Sequence, residues 1–242
     1  MLARRLLPAL LLLAGCAAQP PSPPTAAAPR ARNPDAEQEE LIRDAYLAIK
    51  AGMPEQAIDR ALDPIIATFE RRWGNGPRRA YSARTPIETI HYLTDAAARH
   101  EDAIVIGPVW AEAFKLKAYA LYDLGRLDEA RATLDKALAL SPENATFLEE
   151  LGAQYESVKN WPEAMRAFEK AEAAAKTFSP PALRDIELAR AWRGEAFVDA
   201  ETGKLDDAER LYLRCLELDK NDSRAAAELD YVRRKRAENA KK

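Results

Sequence analysis

Candidates for chemistry are few in these 242 residues. The 2 histidines are His91 and His100, nine residues apart (91 to 100) within one expected helix. At 100° per residue that spacing puts the two rings on opposite faces, where they cannot close on one metal ion. The cysteines are Cys16 and Cys215, far apart in sequence and without a paired thiol. No Gly-rich phosphate loop, Gly-x-Ser-x-Gly or His-Glu-x-x-His is present. Acidic pairs such as Asp128-Glu129 and Asp206-Asp207 fall in expected first turns of helices, where carboxylates favour the dipole. A formal net charge of −3 argues against a nucleic-acid binder. What is left is non-covalent chemistry. Lys115, Tyr119 and Tyr122, then Arg190, Arg193 and Phe197, are aromatic and cationic groups of the kind that anchor binding surfaces. No metal, cofactor or catalytic residue is expected.

The elements that must carry these residues read as helices. Gly is scarce, and apolar residues recur at three and four, as in Ala118, Leu121, Tyr122 and Leu124. The body also repeats itself. Gly125-Arg126-Leu127-Asp128-Glu129-Ala130 returns as Gly203-Lys204-Leu205-Asp206-Asp207-Ala208. Lys159-Asn160-Trp161-Pro162-Glu163-Ala164 lies between them, its Ala 34 residues after Ala130 (164 − 130), and Gly52-Met53-Pro54-Glu55-Gln56-Ala57 is a weaker copy.

In period and in its small and bulky positions this pattern resembles the tetratricopeptide (TPR) repeat. Residues 111–144 carry Phe114, Ala118, Ala130, Ala137 and Pro142. Residues 145–178 carry Leu151-Gly152, Tyr155, Ala164, Phe168 and Ala171, and residues 189–222 carry Trp192, Ala196, Ala208, Tyr212 and Cys215. Residues 38–71 form a degenerate copy with Pro64 inside the second helix. The resemblance implies an all-α, right-handed solenoid of helical hairpins, with three clear repeats over 111–222 and one or two degenerate ones over 35–110. One hairpin cannot bury its own apolar face, so about three or more are needed for stability.

Between Ala57 and Ala130 the spacing is two periods plus five. An irregular second helix pair is expected there, with a turn at Trp73-Gly74-Asn75-Gly76-Pro77. A helix opening at a Thr85 cap and Pro86 should run to about Ile106, where Gly107-Pro108 ends it. Arg71, Arg72, Arg78 and Arg79 around Trp73 either complement a helix dipole or form a patch for anionic lipid or an acidic partner. Residues 223–242 read as a capping helix, Ser223–Asn239, and charged tail, with Arg233, Arg234 and Arg236 in solvent.

Residues 1–15 have the build of an export signal: Arg4 and Arg5, then an apolar run from Leu6 to Leu13, then small residues. The run is shorter than the ~20 apolar residues a bilayer span needs. Leu13-Ala14-Gly15-Cys16 resembles the lipobox of bacterial lipoproteins, which implies a lipidated Cys16 as the first mature residue. The alternative is an ordinary signal peptide with an incidental Cys. Ala17 after the Cys, in place of Asp, implies sorting to the outer membrane with the body in the periplasm. Residues 16–34, rich in Pro, Ala, Ser and Thr, read as a tether able to reach roughly 50 Å in extended form. With Cys16 lipidated, Cys215 is left as a small buried hydrophobe.

In the TPR resemblance the first helices of the hairpins line a concave groove, at Lys115, Tyr119 and Tyr122, at Glu149, Ala153 and Glu156, and at Arg190, Arg193 and Phe197. The Lys and Asn set that clamps a C-terminal carboxylate in some TPR proteins is incomplete, because Tyr119 and Glu150 stand where Asn is usual. Two functions stay open. One is a membrane-anchored scaffold that holds an envelope protein or peptide. The other is a solute- or glycan-binding module with Tyr119, Tyr122, Trp192 and Phe197 as stacking platforms.

Overall fold

A computed structural model describes residues 35–239; Cys16 and the Pro-rich stretch lie outside the described residues. α1 (Ala36–Lys50) is followed by a helical run made of α2 (Pro54–Ala57), a π-wound turn (Ile58–Leu62), α3 (Asp63–Phe69) and a second π-wound turn (Glu70–Gly74). Pro64 explains the first change of winding. It has no N–H to continue the α ladder, and the Asp63 N–H instead bonds the Ile58 carbonyl five residues back. Three regular hairpins follow: α5 (Val109–Asp123) with α6 (Leu127–Leu140), α7 (Ala145–Ser157) with α8 (Trp161–Phe178), and α9 (Arg184–Glu201) with α10 (Leu205–Leu218). α11 (Ser223–Asn239) packs on α10 and closes the array. The fold is an all-α TPR solenoid.

One backbone bond recurs at every hairpin turn. Met53 N–H donates to Ala48 O, Arg126 to Leu121 O, Asn160 to Tyr155 O and Lys204 to Asp199 O, at 2.8–2.9 Å. This six-residue closure requires a left-handed residue just past the helix. Gly52, Gly125 and Gly203 supply it with φ of 75°, 73° and 86°. In the α7–α8 turn Lys159 holds the place at φ 56°, a conformation that costs an L side chain roughly 1 kcal/mol or more. Lys159→Gly is therefore expected to stabilise the protein by about 1 kcal/mol, read as a higher denaturant midpoint at unchanged slope.

The region between the first and second hairpins departs from the sequence reading. Instead of a helix from Pro86 to about Ile106, α4 (Pro86–Ala98) stops early, and β2 (Ala103–Ile106) pairs in parallel with β1 (Arg79–Ser82), Arg79 opposite Ala103. His100 takes the left-handed position (φ 58°) and Glu101 N–H closes on Ala96 O at 2.9 Å. The two histidines thus do not share a helix. Ile104-Val105-Ile106 is a β-branched run that fits a strand better than a helix. The expected cap is present, with Thr85 Oγ1 accepting from Glu88 N at 3.1 Å and Pro86 in the first turn.

This β1–α4–β2 insert has its own small core, Tyr81, Ala83, Tyr92 and Ala96, and it grips the loop ends of the solenoid. Ser141 Oγ donates to Ser82 O at 2.8 Å, and Glu143 N–H donates to the Tyr92 hydroxyl at 3.2 Å, both at the α6–α7 turn. Thr85 Oγ1 donates to Phe178 O at 3.2 Å, and Arg84 Nη1 reaches Glu187 Oε1 at 2.6 Å, both at the α8–α9 connection.

The main core lies in two bodies. One runs from Ala45 to Leu140 with Phe147, the other from Ala145 to Val232, and Leu138 packs against both. Cys215 is fully buried in the second, its Sγ donating to Ala189 O at 3.5 Å, and burial pushes its thiol up to about 11. Arg233 and Arg236 are exposed on α11 and also paired. They pair with Glu209 at 2.8 and 2.6 Å, and Arg236 also reaches Asp206 at 2.9 Å; Arg234 is exposed. In the Arg71–Arg79 segment Trp73 packs partly buried on the first core, with the Arg72 guanidinium 4.9 Å from its ring.

Candidate functional site

The first helix of each hairpin, together with α11, lines an open cleft of about 770 Å³. Helical spacing dictates who faces it. α1 gives Tyr46, Ile49 and Lys50, α5 gives Lys115, Leu116 and Tyr119, and α7 gives Thr146, Glu149, Glu150, Ala153 and Glu156. α9 gives Arg190, Arg193, Gly194 and Phe197, and α11 gives Ser223, Arg224, Ala227 and Glu228. Phe168 and Tyr212, from the second helices, reach the floor.

Of the residues singled out in the sequence, Lys115, Tyr119, Arg190, Arg193 and Phe197 therefore share one cleft, with Glu149, Ala153 and Glu156 beside them. Tyr122 is not among the lining residues. It sits in the last turn of α5 and packs, partly buried, on the first core. Trp192 is not a platform either. It is 6% exposed, its Nε1 donates to Glu172 Oε1 at 2.5 Å, and the Arg214 guanidinium lies 3.9 Å from its ring centroid. The α8 and α10 side chains thus cover the ring that a glycan would need. Tyr46, Tyr119 and Phe197 remain open, at 51%, 38% and 37% exposure.

Cations and acids alternate along the cleft. Lys115 lies 3.7 Å from Glu112, Arg190 Nη1 lies 3.6 Å from Glu149 Oε2, and Arg193 is tied to Asp222 at the α10–α11 turn. The acids are the unexpected part. Glu149 is 8% exposed, its Oε1 has no hydrogen-bond partner, and burial pushes its carboxyl up to about 8 against the pull of Arg190. Burial alone takes Glu156 to about 7 and also raises Glu150. Near neutral pH the cleft is therefore more positive than its composition implies. Repeat position identified Glu149 and Glu156 as cleft residues; their depth depends on the neighbouring hairpins and has no local signal.

Outside the cleft, Glu195 on α9 faces Glu172 and Glu169 and is likewise pushed by burial to about 7. Carboxyls whose folded pKa is raised contribute stability that is complete below the unfolded value, near 4.5, and is lost as pH rises through the folded value. The thermal midpoint is accordingly expected to be several degrees lower at pH 8.5 than at pH 5.5, and Glu195→Gln should flatten part of that slope. A midpoint that rises with pH over this window would contradict the burial of these groups.

Among the described residues no group of His, Cys, Asp and Glu is placed to hold a metal ion, and no helix is long and apolar enough to cross a membrane. His91 lies against Phe178, ring centroids 4.8 Å apart.

An array of helical hairpins with an open concave cleft is the form of a TPR solenoid. Residues 118–158 match the TPR repeat family. Among solved structures, Pseudomonas aeruginosa pilF is 19% identical, over 84% of this chain and 71% of that one, with a TM-score of 0.57. The MamA RS-1 ArsTM double mutant is 18% identical, over 83% and 85%, with a TM-score of 0.51. The first TPR of Spaghetti (RPAP3), bound to HSP90 peptide SRMEEVD, is 24% identical over 52% and 93%, with a TM-score of 0.45. At these identities the likeness is one of fold. No curated protein sequence matches the chain.

Proposed function

We propose that this protein is a membrane-anchored scaffold of the bacterial cell envelope, which holds a segment of a partner protein in its TPR cleft. The observation that carries the reading is the cleft itself. Exposed Tyr46, Tyr119 and Phe197 stand among cations on α1, α5, α9 and α11, and the opening is long enough to cross several hairpins. Rigid aromatic side chains with fixed arginines beside them are the usual anchors of protein recognition. The envelope part of the proposal rests on the sequence: the export signal, Leu13-Ala14-Gly15-Cys16 and the Pro-rich tether support a lipidated Cys16, outer-membrane attachment and a body in the periplasm.

A photo-crosslinking amino acid placed at Tyr119 and, separately, at Phe197 tests the cleft in living cells. Capture of the same envelope protein from both positions is expected; no protein adduct at either, with the fold intact, would defeat the scaffold reading. Cys16→Ser tests the anchor on its own, since the variant should leave the membrane fraction.

A further inference from the structure

We propose, building on the cleft reading, that the partner segment is acidic and that one of its carboxylates takes the place beside Arg190 now held by Glu149, with Lys115 and Arg193 flanking it. Glu149 is more than nine-tenths buried, yet it has no good partner inside the protein. Its Oε1 is unbonded and its Oε2 stands 3.6 Å from Arg190, beyond hydrogen-bond reach. A buried acceptor left unmade is destabilising, so the unliganded cleft carries an unsatisfied polar group directed at its own cation. Arg190 is half exposed and open to a ligand, while the bond to Asp222 fixes the Arg193 guanidinium in place.

The groups around Glu149 set its response. Lys115 faces it from α5, Arg190, Arg193 and Glu187 from α9, and Glu150 and Glu156 share its own helix. Thr146 Oγ1 donates to Glu187 and gives Glu149 nothing. Where Glu149 is ionised, a ligand carboxylate arriving at Arg190 would set two like charges side by side, and Glu149 takes a proton from solvent. As a neutral acid it donates its O–H to the ligand carboxylate, a short charge-assisted bond. Below the free-state value of about 8 the acid is already protonated, and binding needs no proton uptake. Above it, each complex takes up one proton, so affinity falls as pH rises. A basic or neutral segment gains nothing from this arrangement, because Lys50 and Arg224 extend the positive field to both ends of the cleft.

Random heptapeptides displayed on phage, selected on the full chain at pH 6.5, supply the probes, which are then titrated as fluorescein conjugates by anisotropy. The selected peptides should be rich in Asp and Glu, and affinity should fall about tenfold between pH 6.5 and 9.0, the loss expected for one proton over one pH unit. Glu149→Gln, which mimics the protonated acid, should remove most of that slope, and Arg190→Gln should weaken binding about tenfold at both pH values. Neutral or basic peptides, or a Glu149→Gln protein that keeps the full slope, would overturn this inference while leaving the cleft a peptide site. Failure to select any peptide, with wild-type circular dichroism, would reject the cleft reading itself.

Discussion

Replacing Arg84 with methionine is expected to destabilise the protein by about 3–5 kcal/mol, the cost of removing one partner from a buried ion pair. The Arg84 side chain is 12% exposed and bridges two carboxylates at 0% and 4%, Glu88 at 3.3 Å and Glu187 at 2.6 Å. Both acids are otherwise served only by small donors. Glu88 accepts from the Arg84 backbone N–H, and Glu187 from Ser179 and from Thr146 at 3.1 Å. Burial already raises the Glu88 carboxyl despite the cation. Without Arg84 the Glu88 carboxyl, which burial already raises, loses its cation and should protonate more readily, so the variant should regain stability as pH falls from 7.5 to 5. Adding Glu88→Gln and Glu187→Gln should restore much of the loss at pH 7.5, because matched neutral groups no longer leave a charge stranded. Urea denaturation at the two pH values measures this, and a loss under about 1 kcal/mol would mean that water serves the pair.

The second large effect is expected at Phe168. Its ring lies between Gly152 of α7 and Gly194 of α9, so close that a Cβ on either glycine would sit 2.6 or 2.4 Å from ring carbons. Phe168→Ala should cost about 3–5 kcal/mol through lost burial and the cavity left behind. Gly194→Ala should cost about 1–3 kcal/mol through overpacking. The two losses should not add, since each substitution relieves the fault made by the other; additive losses would mean that the ring does not separate the helices. Phe168 and Gly194 also line the cleft floor, so the pair sets the spacing between the α7 and α9 residues that a ligand meets.

The register of small and bulky residues made the hairpins legible, because Ala118, Gly152 and Ala208 sit where helices touch and a side chain would separate them. Thr85-Pro86 and Ser223 marked helix starts that the structure places at the same residues. The β1–α4–β2 insert was not legible. Ala96-Ala97-Ala98 favours continued helix, and the chain stops with His100 in a left-handed turn, where Gly is the usual signal. Ile104-Val105-Ile106 was the available clue. In the cleft, Lys115, Tyr119, Arg190, Arg193 and Phe197 line one concave face, whereas Tyr122 packs on the core and the Trp192 ring, a platform in the glycan alternative, is covered. Whether a ring opens to solvent depends on what α8 and α10 lay across it, and no local pattern records that.

Repeat arrays behave mechanically as leaf springs. Each hairpin touches only its neighbours, small rotations accumulate, and the concave side widens or narrows as the stack flexes. The insert changes that. Ser82 and Tyr92 fasten to the α6–α7 turn, and Arg84 and Thr85 to the α8–α9 connection, so one rigid unit spans two successive joints at their loop ends. A strut across two joints removes their freedom to bend independently. The jaws formed by α5, α7 and α9 then keep a set gauge, and a segment held there as proposed would lose little affinity to closing motions of the protein.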